Sequence, residues 1–395
     1  MNLFVIAGEP SGDRLGAALM SGLRQLVPGV EFIGVGGPLM QAQGLQSLFP
    51  MEELSVMGIA EIVPRYFPLK RRILQVAAAV CAADPAALIT IDSPDFCLRV
   101  ARMVKAARPD LRTIHYVAPS VWAWRPGRAA KMARVIDHVL ALLPFEPPLM
   151  TAAGMTCDFV GHPVVAEPLA SRGQATAFRL AQGIAPEAPL ILALPGSRRG
   201  EVTRLGPRFG QPLRLVQDQR PDLRVVIPTV RGVAALVCDL ARGWPGQPLI
   251  LDPADASGKA AAFAAADVAL AASGTVSLEL AANALPMVIA YDMHPVTLWL
   301  MRRMALVDTV TLVNLVSQTR VVPEFIGHRC RPDLIAPALL DLLTMGPARM
   351  AQIAAMTVTM QKLGQGGEAP GLRAARSVLA VIPGGSPVAS RPPIA

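Results

Sequence analysis

Two short stretches of this chain set small residues before a helix start, one with an arginine and the other with a carboxylate inside it, an order suited to holding a nucleotide diphosphate. The first is ALPGSRRGE at 193–201, and the second, ASGTVSLEL, begins at Ala272. In each, an apolar run of strand type meets a small-residue turn and then a helix start. The run 190–194 leads into Pro195-Gly196-Ser197 with Arg198 next, and 267–272 leads into Ser273-Gly274-Thr275 with Glu279 beyond. The first N–H groups of a helix have no partner in the helix, and its dipole favours negative charge there. Ser197, Arg198, Ser273, Gly274 and Thr275 are therefore expected at the pyrophosphate of a nucleotide, and Glu279 at its ribose hydroxyls. Either turn alone is ordinary in an α/β protein; the pair points to a nucleotide-sugar enzyme. There is no Gly-x4-Gly-Lys-Ser/Thr, and no Gly-x-Gly-x-x-Gly follows the first strand, which excludes a P-loop ATPase and an ordinary dehydrogenase.

The elements that must position these residues follow from bulk and pattern. With 395 residues, 52% hydrophobic and 17% charged, the chain can bury two good-sized cores. Mean hydropathy is high at +0.43, yet no run of 18 or more uncharged apolar residues appears, so no spanning helix is expected. The start, MNLFVIAGEP, has no basic region or cleavage site, which predicts cytoplasmic residence. Cys81, Cys97, Cys157, Cys238 and Cys330 lie far apart without a Cys-x-x-Cys pair, as expected of reduced core residues and not of a disulfide scaffold or zinc site. The net charge of +8 calls for an anionic partner. Aromatics are only 5% and no RRM, KH or zinc-finger pattern is present, so anionic lipid or a phosphorylated sugar fits better than nucleic acid.

Strand patterns alternate with helical ones, the signature of a parallel sheet wrapped by helices. Strands are expected at 3–7, 32–36, 87–91, 113–117, 139–143 and 158–160, then at 190–194, 224–228, 268–271 and 287–291. The domains read as two Rossmann-like units, 1–165 and 166–345, with 166–175 as linker. Helices in 346–382 are expected to pack back toward the first domain, and 383–395 reads as a flexible tail. Because ligands of open parallel sheets lie outside the carboxyl ends of the strands, the expected active site is a cleft between two facing domains, the GT-B glycosyltransferase arrangement. No Asp-x-Asp stands at a strand end, so neither a metal nor any other cofactor is expected.

The ordered motifs GEPSGD (8–13), GVGGPLMQAQG (34–44), MEELSVMGIAEI (51–62), IDSPDF (91–96), HYVAPSVWAWRPGR (115–128), LPFE (143–146), GHP (161–163), LPGSRRGE (194–201), SGTVSLE (273–279), PMVIAY (286–291) and VVPEF (321–325) carry a specific resemblance. From residue 3 to about 380 the chain resembles the lipid-A-disaccharide synthases. One departure is that the family commonly has Leu-Pro-Asn where this chain has Leu312-Val313-Asn314, which bears on the rigidity of that loop. The resemblance implies transfer of 2,3-diacylglucosamine from its UDP derivative to the 6-hydroxyl of 2,3-diacylglucosamine 1-phosphate, with inversion, giving a β-1,6 disaccharide and UDP. It also implies that 1–165 is the acceptor- and lipid-binding domain and 166–345 the UDP-sugar-binding one.

That reaction needs a base for the attacking hydroxyl. Asp92, at a strand end in IDSPDF, is favoured; Asp95 is the alternative, and capping of the helix expected at 96–107 is the plain structural role open to either one. The departing pyrophosphate is expected to be stabilised by preorganised donors without a metal. By resemblance Asn314 joins the UDP site, whereas Glu324 reads as structural or a helix cap. Ser11, Trp122, Trp124 and Arg125 are expected near the acceptor or its acyl chains. His115 and His162 read as core or hinge histidines, and His294 as the cap of a loop.

The acylated substrates imply a membrane surface as partner, since removing one long acyl chain from lipid costs roughly 10 kcal/mol at about 0.8 per CH2. The segment 57–74 mixes apolar side chains, Tyr66, Phe67 and Leu69 among them, with Arg71, Arg72 and other basic residues, and its Pro64 and Pro68 are expected to prevent a continuous helix. The protein is thus expected to sit peripherally on the cytoplasmic face of the inner membrane. Two rivals stand beside this reading: a UDP-sugar epimerase or other glycosyltransferase of the same fold, and a non-catalytic lipid-binding protein, which would leave Asp92 and the two phosphate turns unexplained.

Overall fold

The computed structural model describes residues 1–54 and 59–382, without the side chains of 59–66 and of Arg302. The expected tail 383–395 lies outside the described residues, as do the start of the segment 57–74 and the Tyr66 side chain.

The chain forms two units, Met1–Ala166 with the residues from Gly366 on, and Glu167–Gln365. In the first, β1 (Asn2–Ala7), β2 (Glu31–Val35), β3 (Gln46–Ser47), β4 (Ala87–Ile91), β5 (Arg112–Tyr116), β6 (His138–Ala141) and β7 (Thr156–Phe159) make one parallel sheet in the order β3-β2-β1-β4-β5-β6-β7. In the second, β8 (Leu190–Leu194), β9 (Arg224–Ile227), β10 (Leu249–Ile250), β11 (Val268–Ala271), β12 (Met287–Tyr291) and β13 (Glu324–Ile326) are parallel in the order β10-β9-β8-β11-β12-β13. The central strands are continuous apolar runs because helices cover both faces. Phe4 and Ile6 point into one core with Leu88, Val76 and Val100, while Leu3, Val5 and Ala7 point into the other with Leu19, Met20 and Val378. Strand order reverses between β1 and β4, and again between β8 and β11. At such switch points the loops diverge and leave a crevice at the carboxyl ends.

Three expectations are corrected. Ile59–Ala83 is one helix despite Pro64 and Pro68. Each proline removes a single backbone bond, and both lie in the first ten residues, whereas the remainder is held by Ile73, Val76, Ala77 and Val80, buried at helical spacing. On this helix Arg72 is engaged, bonding Glu53 with two nitrogens at 2.8 Å and lying 4.2 Å above the Phe49 ring, and Leu69 packs partly against the core; neither is free for lipid. Second, the linker is shorter than 166–175, because Ser171 and Gln174 form a reciprocal capping box that starts the helix Arg172–Ala181.

Third, only one of the two last helices belongs to the first unit. Pro347–Lys362 stays in the second, where buried Gln352 bonds both the N–H and the carbonyl of Met287 in β12. Pro370–Val381 packs on Pro10–Leu26 with small residues at the crossing: a Cβ on Gly22 would stand 2.7 Å from the Gly371 carbonyl oxygen, and one on Gly371 2.5 Å from that of Ala18. Its Ser377 donates to Asp158 at 2.7 Å and lies 2.8 Å from Nε2 of His138 in β6.

Asp13, only 3% exposed, accepts from the N–H groups of Gly37, Leu39 and Met40 at 2.9–3.0 Å, closing the start of the helix Pro38–Ala42. Asp13→Ala would leave three buried donors unsatisfied and is expected to lower stability by about 2–4 kcal/mol in urea unfolding. A loss below about 0.5 kcal/mol would refute this role.

Candidate functional site

At the switch point of the first sheet, the loops after β1 and β4 meet. Asp92 and Ser93 follow β4 directly and both adopt left-handed backbone, with φ of 53° and 43°. Two such residues in succession are strained by roughly 1–3 kcal/mol each, a cost characteristic of functional loops. The opposing loop leans on them: Ser11 Oγ donates to Asp92 Oδ2 at 3.2 Å, and a Cβ on Gly8 would stand 2.7 Å from Ser93 Oγ. Asp92 is thus a half-buried carboxylate with one oxygen held and the other available. It lines a cavity of about 440 Å³ with Asp95, Arg99, Arg102, Arg128 and Lys131 among its walls. Asp95 is exposed in the first turn of Pro94–Ala107, where a carboxylate complements the helix dipole. Below the site Cys97 is fully buried; desolvation, with Asp92 nearby, pushes its thiol far above the ordinary range and keeps it protonated.

The second unit repeats the arrangement. Ser197, Arg198, Ser273, Gly274, Thr275 and Glu279 converge on one cavity of about 570 Å³ at the ends of β8 and β11. Gly196 has φ 120°, and a Cβ there would meet Glu201 at 2.7 Å, so the loop requires glycine. Glu201 is a residue the sequence reading passed over. Its Oε2 accepts from the N–H groups of Ser197 and Arg198 at 3.1 and 3.3 Å, and its Oε1 from the Arg198 guanidinium at 3.1 Å. These two backbone donors, expected for an anion, are already occupied, which leaves side chains as the contribution of that loop. Glu279 pairs with Lys259 at 2.6 Å, with one oxygen still open; Lys259 also lines the cavity and was not anticipated.

The comparisons decide the family. A family model described as lipid-A-disaccharide synthetase matches residues 3–369. The chain belongs to the lipid-A-disaccharide synthetase family. The lipid-A-disaccharide synthase of Ruegeria pomeroyi is 61% identical over 97% of this chain and 96% of its own length, and that of Rhodospirillum centenum 52% identical over 96% and 94%. The protein is accordingly an enzyme, a glycosyltransferase of lipid A biosynthesis. Among solved structures it resembles a UDP-GlcNAc 2-epimerase from Neisseria meningitidis (TM-score 0.63, 11% identity, covering 96% of this chain and 99% of that one). It also resembles MurG of Acinetobacter baumannii (TM-score 0.51, 12% identity, 95% and 94%). These likenesses are of fold, and the fold is GT-B.

In this synthetase-family chain the remaining expected residues divide. Asn314 is 1% exposed and its amide is fully used: Nδ2 donates to Thr309 Oγ1, the Val322 carbonyl and Glu324 Oε1, and Oδ1 accepts from Val322 N–H. It therefore braces the loop and is not among the residues that line the cavity holding Ser197, Arg198 and Glu279, where it was expected. Glu324 is structural, as expected, though it sits in β13 and not at a helix cap; it accepts from the Val310 and Thr311 N–H groups and the Thr309 hydroxyl. Val313 is fully buried in the helix Leu312–Ser317, so this network fixes the loop that proline commonly stiffens.

Trp122 and Trp124 lie on a turn and diverge. Trp122 donates to Glu146 Oε1 at 3.1 Å and meets Phe145 edge-on, while Trp124 carries the Arg125 guanidinium 4.2 Å above its ring. Burial raises the Glu146 carboxyl to about 7 even though Leu142 and Leu143 N–H groups and the Trp122 indole donate to it. His115 is buried and His162 half-buried, both lowered to about 4 by desolvation and bonded to Thr90 and the Val164 N–H, and His294 caps Pro295–Met304.

Proposed function

We propose that this chain transfers 2,3-diacylglucosamine from UDP-2,3-diacylglucosamine to the 6-hydroxyl of 2,3-diacylglucosamine 1-phosphate with inversion. The observation that carries the reading is the Asp92 carboxylate, held by Ser11 on strained backbone at a switch point. In one displacement the acceptor oxygen attacks the anomeric carbon from the face opposite UDP, its proton passes to Asp92, and the bond from the anomeric carbon to the phosphate oxygen breaks. The charge that builds on UDP is met by Arg198, the Ser197, Ser273 and Thr275 hydroxyls and the free N–H groups at Gly274–Thr275, with Glu279 on the ribose.

Mass-spectrometric detection of the β-1,6 disaccharide 1-phosphate, with UDP released in equal amount from purified protein and both substrates, tests this. Since cationic side chains meet the diphosphate, product is expected to form equally in EDTA. Strict dependence on added magnesium or manganese would overturn the arrangement, and an epimerised UDP-sugar without disaccharide would replace the reading with the epimerase one.

The membrane contact we assign to the exposed side of Ile59–Ala83, where Phe67 (78% exposed) and Leu74 (48%) lie beside exposed Lys70 and Arg71. On this reading the enzyme sits peripherally on the cytoplasmic face and takes its lipid substrates laterally. Each basic residue adds about 1 kcal/mol near anionic lipid. Phe67→Ser and Leu74→Ser combined with Lys70→Glu and Arg71→Glu are expected to release the protein from phosphatidylglycerol vesicles, with UDP affinity intact. Undiminished co-sedimentation would move the membrane surface elsewhere.

A further inference from the structure

The cavity beside Asp92 holds more positive charge than proton transfer requires. Arg99 and Arg102 reach it from the helix Pro94–Ala107, and Arg128 and Lys131 from Gly127–Met132. Both pairs are spaced by three residues, so like charges share one helix face, which opposes folding. None of the four pairs with a carboxylate among the described residues; Arg128 has only the Trp124 ring, 5.9 Å from its centroid. The carboxylates on the walls are Asp92 and Asp95, so four cations against two anions leave a surplus of two positive charges. His115, also on the wall, is neutral and bonded to Thr90. Ser120 is the one other polar residue of the lining, and the rest is apolar, with Leu98, Val117, Met132 and Val135 the larger side chains.

A surplus of about two charges matches a phosphate monoester, which carries about −1.5 to −2 at neutral pH. A carboxylate would neutralise half of it. We propose that Arg99, Arg102, Arg128 and Lys131 form a phosphate-monoester site that seats the acceptor's 1-phosphate. This rests on the transferase reading above. C1 and C5, which carry the 1-phosphate and the 6-hydroxymethyl group, both flank the ring oxygen, so a phosphate seated among these cations keeps the 6-hydroxyl within one ring's width, in the cavity that Asp92 also lines. The four residues position and select the acceptor and take no part in bond making.

The test uses the full chain and the variants Arg102→Ala/Lys131→Ala and Arg99→Ala/Arg128→Ala, with Arg102→Lys as conservative rescue. Removing like charges should leave melting temperatures equal or higher. Soluble glucosamine 1-phosphate is expected to bind wild type in calorimetry, and inorganic phosphate to compete with it. Each double variant should weaken binding at least about tenfold, the scale of one charge-assisted contact, with Arg102→Lys retaining most of it. In transfer assays the preference for the acceptor bearing the 1-phosphate over its 1-hydroxyl counterpart should fall by the same factor, as a rise in KM. Folded variants that keep wild-type binding and preference would overturn the site. Binding lost while wild type transfers nothing would sustain the site and sink the transferase reading. Loss confined to phosphatidylglycerol vesicle binding would assign the cations to lipid headgroups and overturn the acceptor assignment.

Discussion

Asp92→Asn is expected to cut turnover by about two orders of magnitude or more, the scale of general-base catalysis, while UDP binds as in wild type. The substitution is unusually clean here. Asparagine tolerates left-handed backbone as well as aspartate does, so φ of 53° adds no strain. Its amide oxygen can still accept from Ser11, so the loops stay joined. What disappears is the second carboxylate oxygen, the one proposed to receive the proton. Asp95→Asn is the companion, one helical turn away and exposed on the same cavity. Single-turnover rates for both variants settle the assignment: near-normal rates for Asp92→Asn would end it, and a matching loss in Asp95→Asn alone would transfer the role.

Arg198→Ala is expected to weaken UDP binding by about 1.5–3 kcal/mol, or roughly 10- to 150-fold, as for a hydrogen bond to a charged partner. Its side chain is 63% exposed and its pair with Glu201 lies at the surface, so breaking that pair contributes little by itself. The loss should therefore appear in ligand affinity and leave unfolding unchanged. Because Glu201 occupies the Ser197 and Arg198 N–H groups, the guanidinium is the main donor this loop offers to a diphosphate. Arg198→Lys should restore only part of the affinity, since an ammonium cannot reproduce the two-pronged contact. Calorimetry with UDP reads all three proteins, and unaltered affinity in Arg198→Ala would remove the residue from the site.

The fold and the two strand-end sites were legible because long apolar strands and small-residue turns are written locally. What escaped has physical reasons. β3 and β10 have two residues each and β13 three, too short for any periodicity to show. Proline reads as a helix breaker, yet Pro64 and Pro68, like Pro207 and Pro212 in the helix Arg199–Gln219, are overridden by the burial of neighbouring side chains. Asn314 was expected at the ligand and Glu201 drew no reading; only the folded chain shows their polar atoms bonded to backbone and side-chain groups, for Asn314 as far as ten residues away. The basic cavity was hidden for the opposite reason. Arg99 and Arg102 meet Arg128 and Lys131 across about thirty residues of sequence, and in an arginine-rich chain no single one of them stands out.

The return of Pro370–Val381 to the first unit sets a schedule for synthesis. That helix covers Pro10–Leu26, yet it leaves the ribosome only after the roughly 200 residues of Glu167–Gln365. At about 5–20 residues per second this is an interval of roughly 10–40 s. Throughout it the apolar stripe of Leu15, Leu19 and Leu23 lacks its cover of Ala374, Ala375 and Val378. The second unit, contiguous in sequence, can be complete while the first still waits. During that interval the nascent chain presents one apolar helix face of the kind that chaperones shield.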